Sequence, residues 1–203
     1  MSSPVSSPVS RGGPSVLVVC TGNICRSPIA ERVLQAALDA ATPAGAPRVR
    51  VASAGTGAVV GHPVEPEAAA IVVRSGADPD GHAARQITAT DVRDAALVLT
   101  ATREHRSAVV RMVPAAVRRS FTVREAGRIA AARAGEVRGS DPAERLASLV
   151  DVLARARGAL AVREAEQDDV VDPFRTDAAT WELAESQLLP AVRALAQALS
   201  PLT

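Results

Sequence analysis

Four apolar residues in a row, Val16-Leu17-Val18-Val19, run straight into Cys20 with no polar residue between them. A strand with one wet face would alternate polar and apolar positions. An unbroken run predicts a strand buried on both faces, as in a parallel sheet. The chain beyond it alternates in the way such a sheet requires. Residues 28–40 read as a helix, with Ser27 as N-cap and Pro28 at the first helical position. Residues 48–53 read as a strand, and 66–75 as a helix closed by Gly76. A short helical piece at 90–95 precedes a strand at 96–100. A helix at 102–112 stops before Pro114, and a strand follows at 119–123. The expected fold is α/β: a three-layer, doubly wound sheet of about four parallel strands with helices on both faces. Such sheets bind ligands beyond the carboxyl ends of their strands, and Cys20 sits at such an end.

The flanks differ. Residues 1–14 repeat Ser-Ser-Pro-Val and then add glycines, too little apolar surface to fold, and are expected to form a disordered tail. Residues 15–203 are expected to form one domain. Within it, residues 124–168 are rich in arginine and alanine and read as a helical insertion lying on the domain. Asp141-Pro142-Ala143-Glu144 has the pattern of a capping box, and Leu146, Leu149, Val150, Leu153 and Leu160 follow as one apolar stripe. Residues 176–199 predict a last helix, bent or interrupted at Pro190.

Basic and acidic residues nearly cancel, 23 against 22, which argues against a nucleic-acid or membrane-surface partner. Two cysteines make no disulfide framework. No charged segment leads into an apolar one at the start, and the apolar runs fall short of the ~20 residues of a membrane helix. The expected compartment is the cytoplasm, where thiols stay reduced.

Residues 20–27 carry the chemistry. A strand ends, a short loop turns and a helix begins, so the amides of residues 21–26 can point into the loop. With the helix dipole they form an anion nest. Gly22 removes a Cβ from the turn, and Asn23 tolerates left-handed backbone angles. Arg26 adds a planar fork suited to phosphate oxygens. The same donors favour a thiolate at Cys20, to which the Ser27 hydroxyl can donate. Thr21, Gly22, Asn23, Ile24, Cys25 and Arg26 are thus the candidate phosphate-binding residues, with Cys20 in line as nucleophile. The competing reading is a core cysteine before an ordinary strand–helix turn.

The stretch VVCTGNICRSPIAE resembles the signature of the low-molecular-weight protein tyrosine phosphatase family, through Cys-x5-Arg-Ser-Pro after an apolar strand. SAGT (53–56), HAARQIT (82–88), LVLTATREHR (97–106) and DVVDPF (169–174) resemble family blocks in the same order. The resemblance covers about residues 15–199 apart from the insertion. It implies a protein-tyrosine-phosphatase working in two steps without metal or cofactor. Cys20 takes the phosphoryl group while an acid protonates the leaving oxygen, and the same carboxylate then activates water against the phosphocysteine. Three Asp-Pro pairs supply candidates for that acid. Asp141 is explained as a helix cap and Asp78 as a turn. Asp172 follows Val170-Val171 and precedes Phe174, and its position agrees with the family's late Asp-Pro motif. Cys25, in the same loop, is by resemblance a thiol that traps oxidised Cys20 as a disulfide; otherwise it is a small buried residue. His62, His82 and His105 lack ligand spacing. His82 reads as a structural hydrogen-bonding residue, and Arg103 and Glu104 as a solvated helix start.

The substrate is less defined. The loop after SAGT reads Gly57-Ala58-Val59-Val60, without an aromatic residue, and Phe174 alone offers a ring wall. The expectation is a phosphorylated protein substrate bearing phosphotyrosine, gripped weakly, with phosphate or sulfate as loop ligands and the protein a monomer or weak dimer. Ile24 suits an aryl phosphate, whereas the related protein-arginine phosphatases have threonine at the matching position. DVVDPF and FTVREAGR nevertheless look more like that branch, so protein-arginine phosphatase, or a small-molecule phosphatase, is the alternative. An arsenate reductase of this fold needs a further cysteine, and none follows Cys25. A phosphate-binding module without turnover is the remaining class.

Overall fold

The computed structural model describes residues 15–42, 44–160 and 164–200; the expected tail at 1–14 lies outside them. Four strands, β1 (Ser15–Cys20), β2 (Arg50–Gly55), β3 (Leu97–Thr100) and β4 (Ser120–Thr122), form one sheet in the order β2-β1-β3-β4. All three strand pairings are parallel. The apolar run of β1 is central for the reason its sequence suggested. Val16 and Val18 face one apolar cluster, and Leu17 and Val19 face the other.

Helices cover both faces. Against the larger cluster lie α1 (Arg26–Ala41), α2 (Pro66–Arg74), α5 (Val123–Arg133), α6 (Pro142–Ala156) and α7 (Ala178–Leu199). Against the smaller one lie α3 (Ala89–Asp94) and α4 (Arg103–Met112). The chain leaves β1 toward β2 and later returns on its other side as β3. The carboxyl end of β1 is therefore the point where the strand order reverses, the place such sheets use for ligands.

Two expectations change in detail. Residues 124–168 do not merely lie on the domain, because Ala126, Ile129, Ala130, Leu146, Leu149 and Leu153 are buried in the main core. Asp141 does cap α6, accepting from the amides of Ala143 and Glu144; Val152 joins the buried stripe, while Val150 and Leu160 pack against it partly buried. The last helix runs unbroken through Pro190, with Leu188, Leu189, Ala191 and Val192 buried around it, so packing overrides the lost hydrogen bond. Glu125, buried on α5, accepts from Arg106 of α4 at 2.9 Å and from Arg157 beyond α6 at 3.2 Å.

Gly127 lets α5 pack closely on α7. A Cβ there would lie 2.5 Å from Cα and Cβ of Ala191. Helix propensity alone favours replacing this glycine, by up to ~1 kcal/mol. Backbone cannot move aside as a side chain can, and overpacking costs about 1–3 kcal/mol. Gly127→Val is therefore expected to lose about 2 kcal/mol in urea unfolding; a gain would contradict the close packing.

Candidate active site

The loop between β1 and α1 is held from outside by its carbonyls. Those of Cys20, Thr21, Gly22 and Ile24 accept the amides of Thr56, Gly57, Val59 and Glu65 at 2.9–3.1 Å. That of Asn23 accepts His82 Nε2–H at 2.7 Å, and that of Cys25 accepts the amide of Ile29 at 3.2 Å. No backbone N–H of residues 21–26 donates to another described group. Carbonyls tied outward and amides left for the concave side make an anion nest. Gly55 belongs to this arrangement, because a Cβ there would collide with the Thr21 carbonyl.

Asn23 is the loop's internal brace. It is fully buried, with φ of 57°, the left-handed conformation expected of it. Its Nδ2 donates to Ser27 Oγ at 3.0 Å and to Ser53 Oγ at 2.7 Å. Its Oδ1 accepts the Arg85 amide at 2.9 Å, which fixes the orientation of the side chain. Ser53 in turn donates to Glu31 Oε2. Ser27 corrects an expectation: α1 begins at Arg26, with Cys25 at the cap position and no side-chain cap. Ser27 lies inside the first turn, facing Cys20 Sγ at 3.0 Å. With its oxygen already accepting from Asn23, its own proton is available to the sulfur.

Arg26 is buried and spans the site. Its Nη1 donates to the Val170 carbonyl at 3.0 Å and its Nη2 to Asp172 Oδ2 at 2.6 Å. Its Nε is buried without a partner among the described residues. A cleft of about 200 Å³ is lined by Cys20, Thr21, Gly22, Ile24, Cys25, Arg26, Gly57, Val59, Asp172 and Phe174. The candidate residues thus converge on one cavity, while Asn23 and Ser27 support it from beneath. Phe174 and Val59 are partly exposed at its mouth. Cys25 is buried, and burial first, then the charges of Cys20, Glu65 and Asp172, push its thiol well above the usual range, Arg26 opposing.

Sequence reasoning passed over two groups. Arg103 is not a solvated helix start: it chelates Asp169 and reaches Glu166. His105 is buried between Thr21 and Thr102, with Nε2 2.9 Å from Thr21 Oγ1 and Nδ1 2.6 Å from Thr102 Oγ1. Thr102 caps α4, accepting the amide of His105, so both ring nitrogens and the backbone of this histidine are held by threonine hydroxyls. The signal that would have found both is positional: they follow the carboxyl end of β3, beside that of β1.

His105 carries a pH prediction. Burial first, then Arg26, lower its imidazole from 6.5 to about 4, against the nearby carboxylates. Between these values the unfolded chain binds a proton that the folded one refuses, so stability falls as pH falls. The loss from neutral pH to pH 4 is roughly 3 kcal/mol. His105→Asn is expected to show a urea-unfolding free energy less sensitive to acid by that amount. Identical pH slopes would remove the assignment.

No helix among the described residues is long and apolar enough to cross a membrane. Comparisons with known proteins agree on the family. The family described as low molecular weight phosphotyrosine protein phosphatase matches residues 15–142. The low molecular weight protein-tyrosine-phosphatase Etp of Escherichia coli K12 is 43% identical over 100 residues, 49% of this chain, and the match spans only 62% of Etp. The crystal structure of the Erwinia amylovora tyrosine phosphatase AmsI superposes with TM-score 0.61 at 26% identity, over 90% of this chain and 91% of that one. A low molecular weight protein tyrosine phosphatase from T. tengcongensis gives TM-score 0.63 at 25% identity, over 90% and 97%. With the nest, the buried arginine and the cysteine at the reversal of strand order, these matches place the chain in the low molecular weight phosphotyrosine protein phosphatase family.

Proposed function

We propose that residues 15–203 act as one cysteine-dependent phosphomonoester hydrolase domain, working on phosphotyrosine in proteins through a phosphocysteine intermediate. The observation that carries this reading is the single cleft holding Cys20, the inward amides, Arg26 and Asp172. The amides and the Arg26 fork, including the Nε that has no partner among the described residues, hold three phosphoryl oxygens. The Cys20 thiolate, stabilised by the Ser27 hydroxyl, attacks phosphorus. An S–P bond forms as the ester P–O bond breaks, and Asp172 gives its proton to the departing oxygen. Water then attacks the phosphocysteine, its proton passing to Asp172, and the thiolate leaves toward Ser27. The reaction needs no metal or cofactor. The cytoplasm is the proposed location, and the protein a monomer or weak dimer.

Ile24, Val59 and Phe174 line the entrance with apolar surface, which favours an aryl ester over a hydrophilic one. The experiment is kcat/KM on peptides bearing phosphotyrosine, phosphoarginine and phosphoserine. Phosphotyrosine is expected to lead. A lead for phosphoarginine would assign the alternative activity, and a lead for phosphoserine would contradict the apolar entrance. Absence of turnover by the pure, reduced protein on any phosphate ester would leave a phosphate-binding module.

A further inference from the structure

We propose that Arg103 is a positioning residue for the acid: its clamp on Asp169 sets where Asp172 stands over the cleft. The inference rests on the proposed role of Asp172.

Asp172 itself is held chiefly by its 2.6 Å ion pair with Arg26. Its side chain is 52% exposed, and its other hydrogen-bond partner among the described residues is the Phe174 amide, at 3.3 Å. The backbone just before it is held firmly. Asp169 Oδ1 accepts the backbone amide of Arg103, the first residue of α4, at 2.7 Å. The Arg103 guanidinium closes on the same carboxylate, with Nε 3.3 Å from both oxygens and Nη2 3.1 Å from Oδ2. Its Nη2 also reaches Glu166 at 3.0 Å. The Asp169 carbonyl accepts Arg124 of α5 at 2.8 Å. Val170 donates to the Ala101 carbonyl at 2.9 Å, and Val171 donates to Gln187 of α7 at the same distance.

The acid segment is thereby stitched to the end of β3, beside the nucleophile's strand. Among these anchors the Arg103–Asp169 pair is the charged, two-pronged one, and it joins the segment to the start of α4. A carboxylate at a helix N-terminus is favoured by the dipole as well as by the guanidinium. Only two residues separate Asp169 from Asp172, so freeing Asp169 lets the acid wander. A misplacement of about 1 Å can cost on the order of 10²-fold in rate.

The consequence is selective, because an ester needs the acid only as far as its leaving oxygen needs a proton. In Arg103→Met, kcat/KM for phenyl phosphate is expected to fall about 10- to 100-fold. For 2,4-dinitrophenyl phosphate, whose phenolate departs unaided, it is expected to stay within about threefold of the unsubstituted protein. Arg103→Lys keeps the charge without the fork and is expected to recover part of the loss. Asp169→Asn breaks the clamp from the other side, and is expected to show the same selectivity if Arg103→Met does not fold. Equal losses on both esters, or none on either, would overturn the proposal. If the unsubstituted protein hydrolyses neither ester, the hydrolase reading fails first; turnover by it without the selective loss in the variants condemns the clamp alone.

Discussion

Cys20→Ser is expected to lower kcat on para-nitrophenyl phosphate on the order of 10⁵-fold or more, as removal of a covalent nucleophile does, while inorganic phosphate still binds. Serine keeps the shape of the loop but not its reactivity. A hydroxyl becomes a nucleophile only when a base takes its proton, and the neighbouring histidines are committed elsewhere. His82 donates to the Asn23 carbonyl, and His105 is held between Thr21 and Thr102. Cys25 is no substitute: it is buried, and its thiol is pushed upward, away from the thiolate. Binding is spared because the donors are the amides of residues 21–26 and Arg26, none of which the substitution alters. Calorimetry with inorganic phosphate and steady-state kinetics on the same preparation separate the two effects. A serine variant retaining about a hundredth of the activity would show that Cys20 is not the nucleophile.

Much of this site is legible in the sequence because its determinants are local. The strand, the turn and the anion nest are written within residues 16–27, and Asn23 adopts the positive φ that its residue type permits. Ser27 departs from its expected cap position for a related reason. Serine before proline is a good cap, but here the amides of the first turn serve the nest, so α1 starts at Arg26 and frees Ser27 for the sulfur. Arg103 and His105 escaped because their partners are distant. Asp169 lies 66 residues from Arg103, and Thr21 lies 84 from His105. No periodicity encodes such pairs; the order β2-β1-β3-β4 creates them. Residues 124–168 teach the same lesson. Charge and alanine content suggested an added surface element, whereas the fit of Gly127 against Ala191 joins α5 to α7 in the core.

Asp172→Asn is expected to lower kcat/KM for phenyl phosphate by about 10²- to 10⁴-fold, the usual worth of a general acid, and to leave 2,4-dinitrophenyl phosphate far less affected. The geometry contains a tension that makes the test informative. In the structure the Asp172 carboxylate is engaged by Arg26 at 2.6 Å, whereas a general acid must be free to face the leaving oxygen. A dianionic phosphoryl group in the nest resolves it. It draws the Arg26 fork to its own oxygens and so releases the Asp172 carboxyl toward the leaving oxygen. Substrate binding thus arms the acid. Asparagine keeps the size of the side chain and an oxygen for Arg26, but it has neither the proton nor the negative charge. Removing that charge relieves repulsion with the bound dianion, so inorganic phosphate is expected to bind the variant at least as tightly as the unsubstituted protein. Catalysis falling while phosphate affinity holds or rises is the signature of a lost acid. A parallel loss of affinity would instead make Asp172 a structural partner of Arg26, and a uniform loss across leaving groups would remove it from the proton-transfer step.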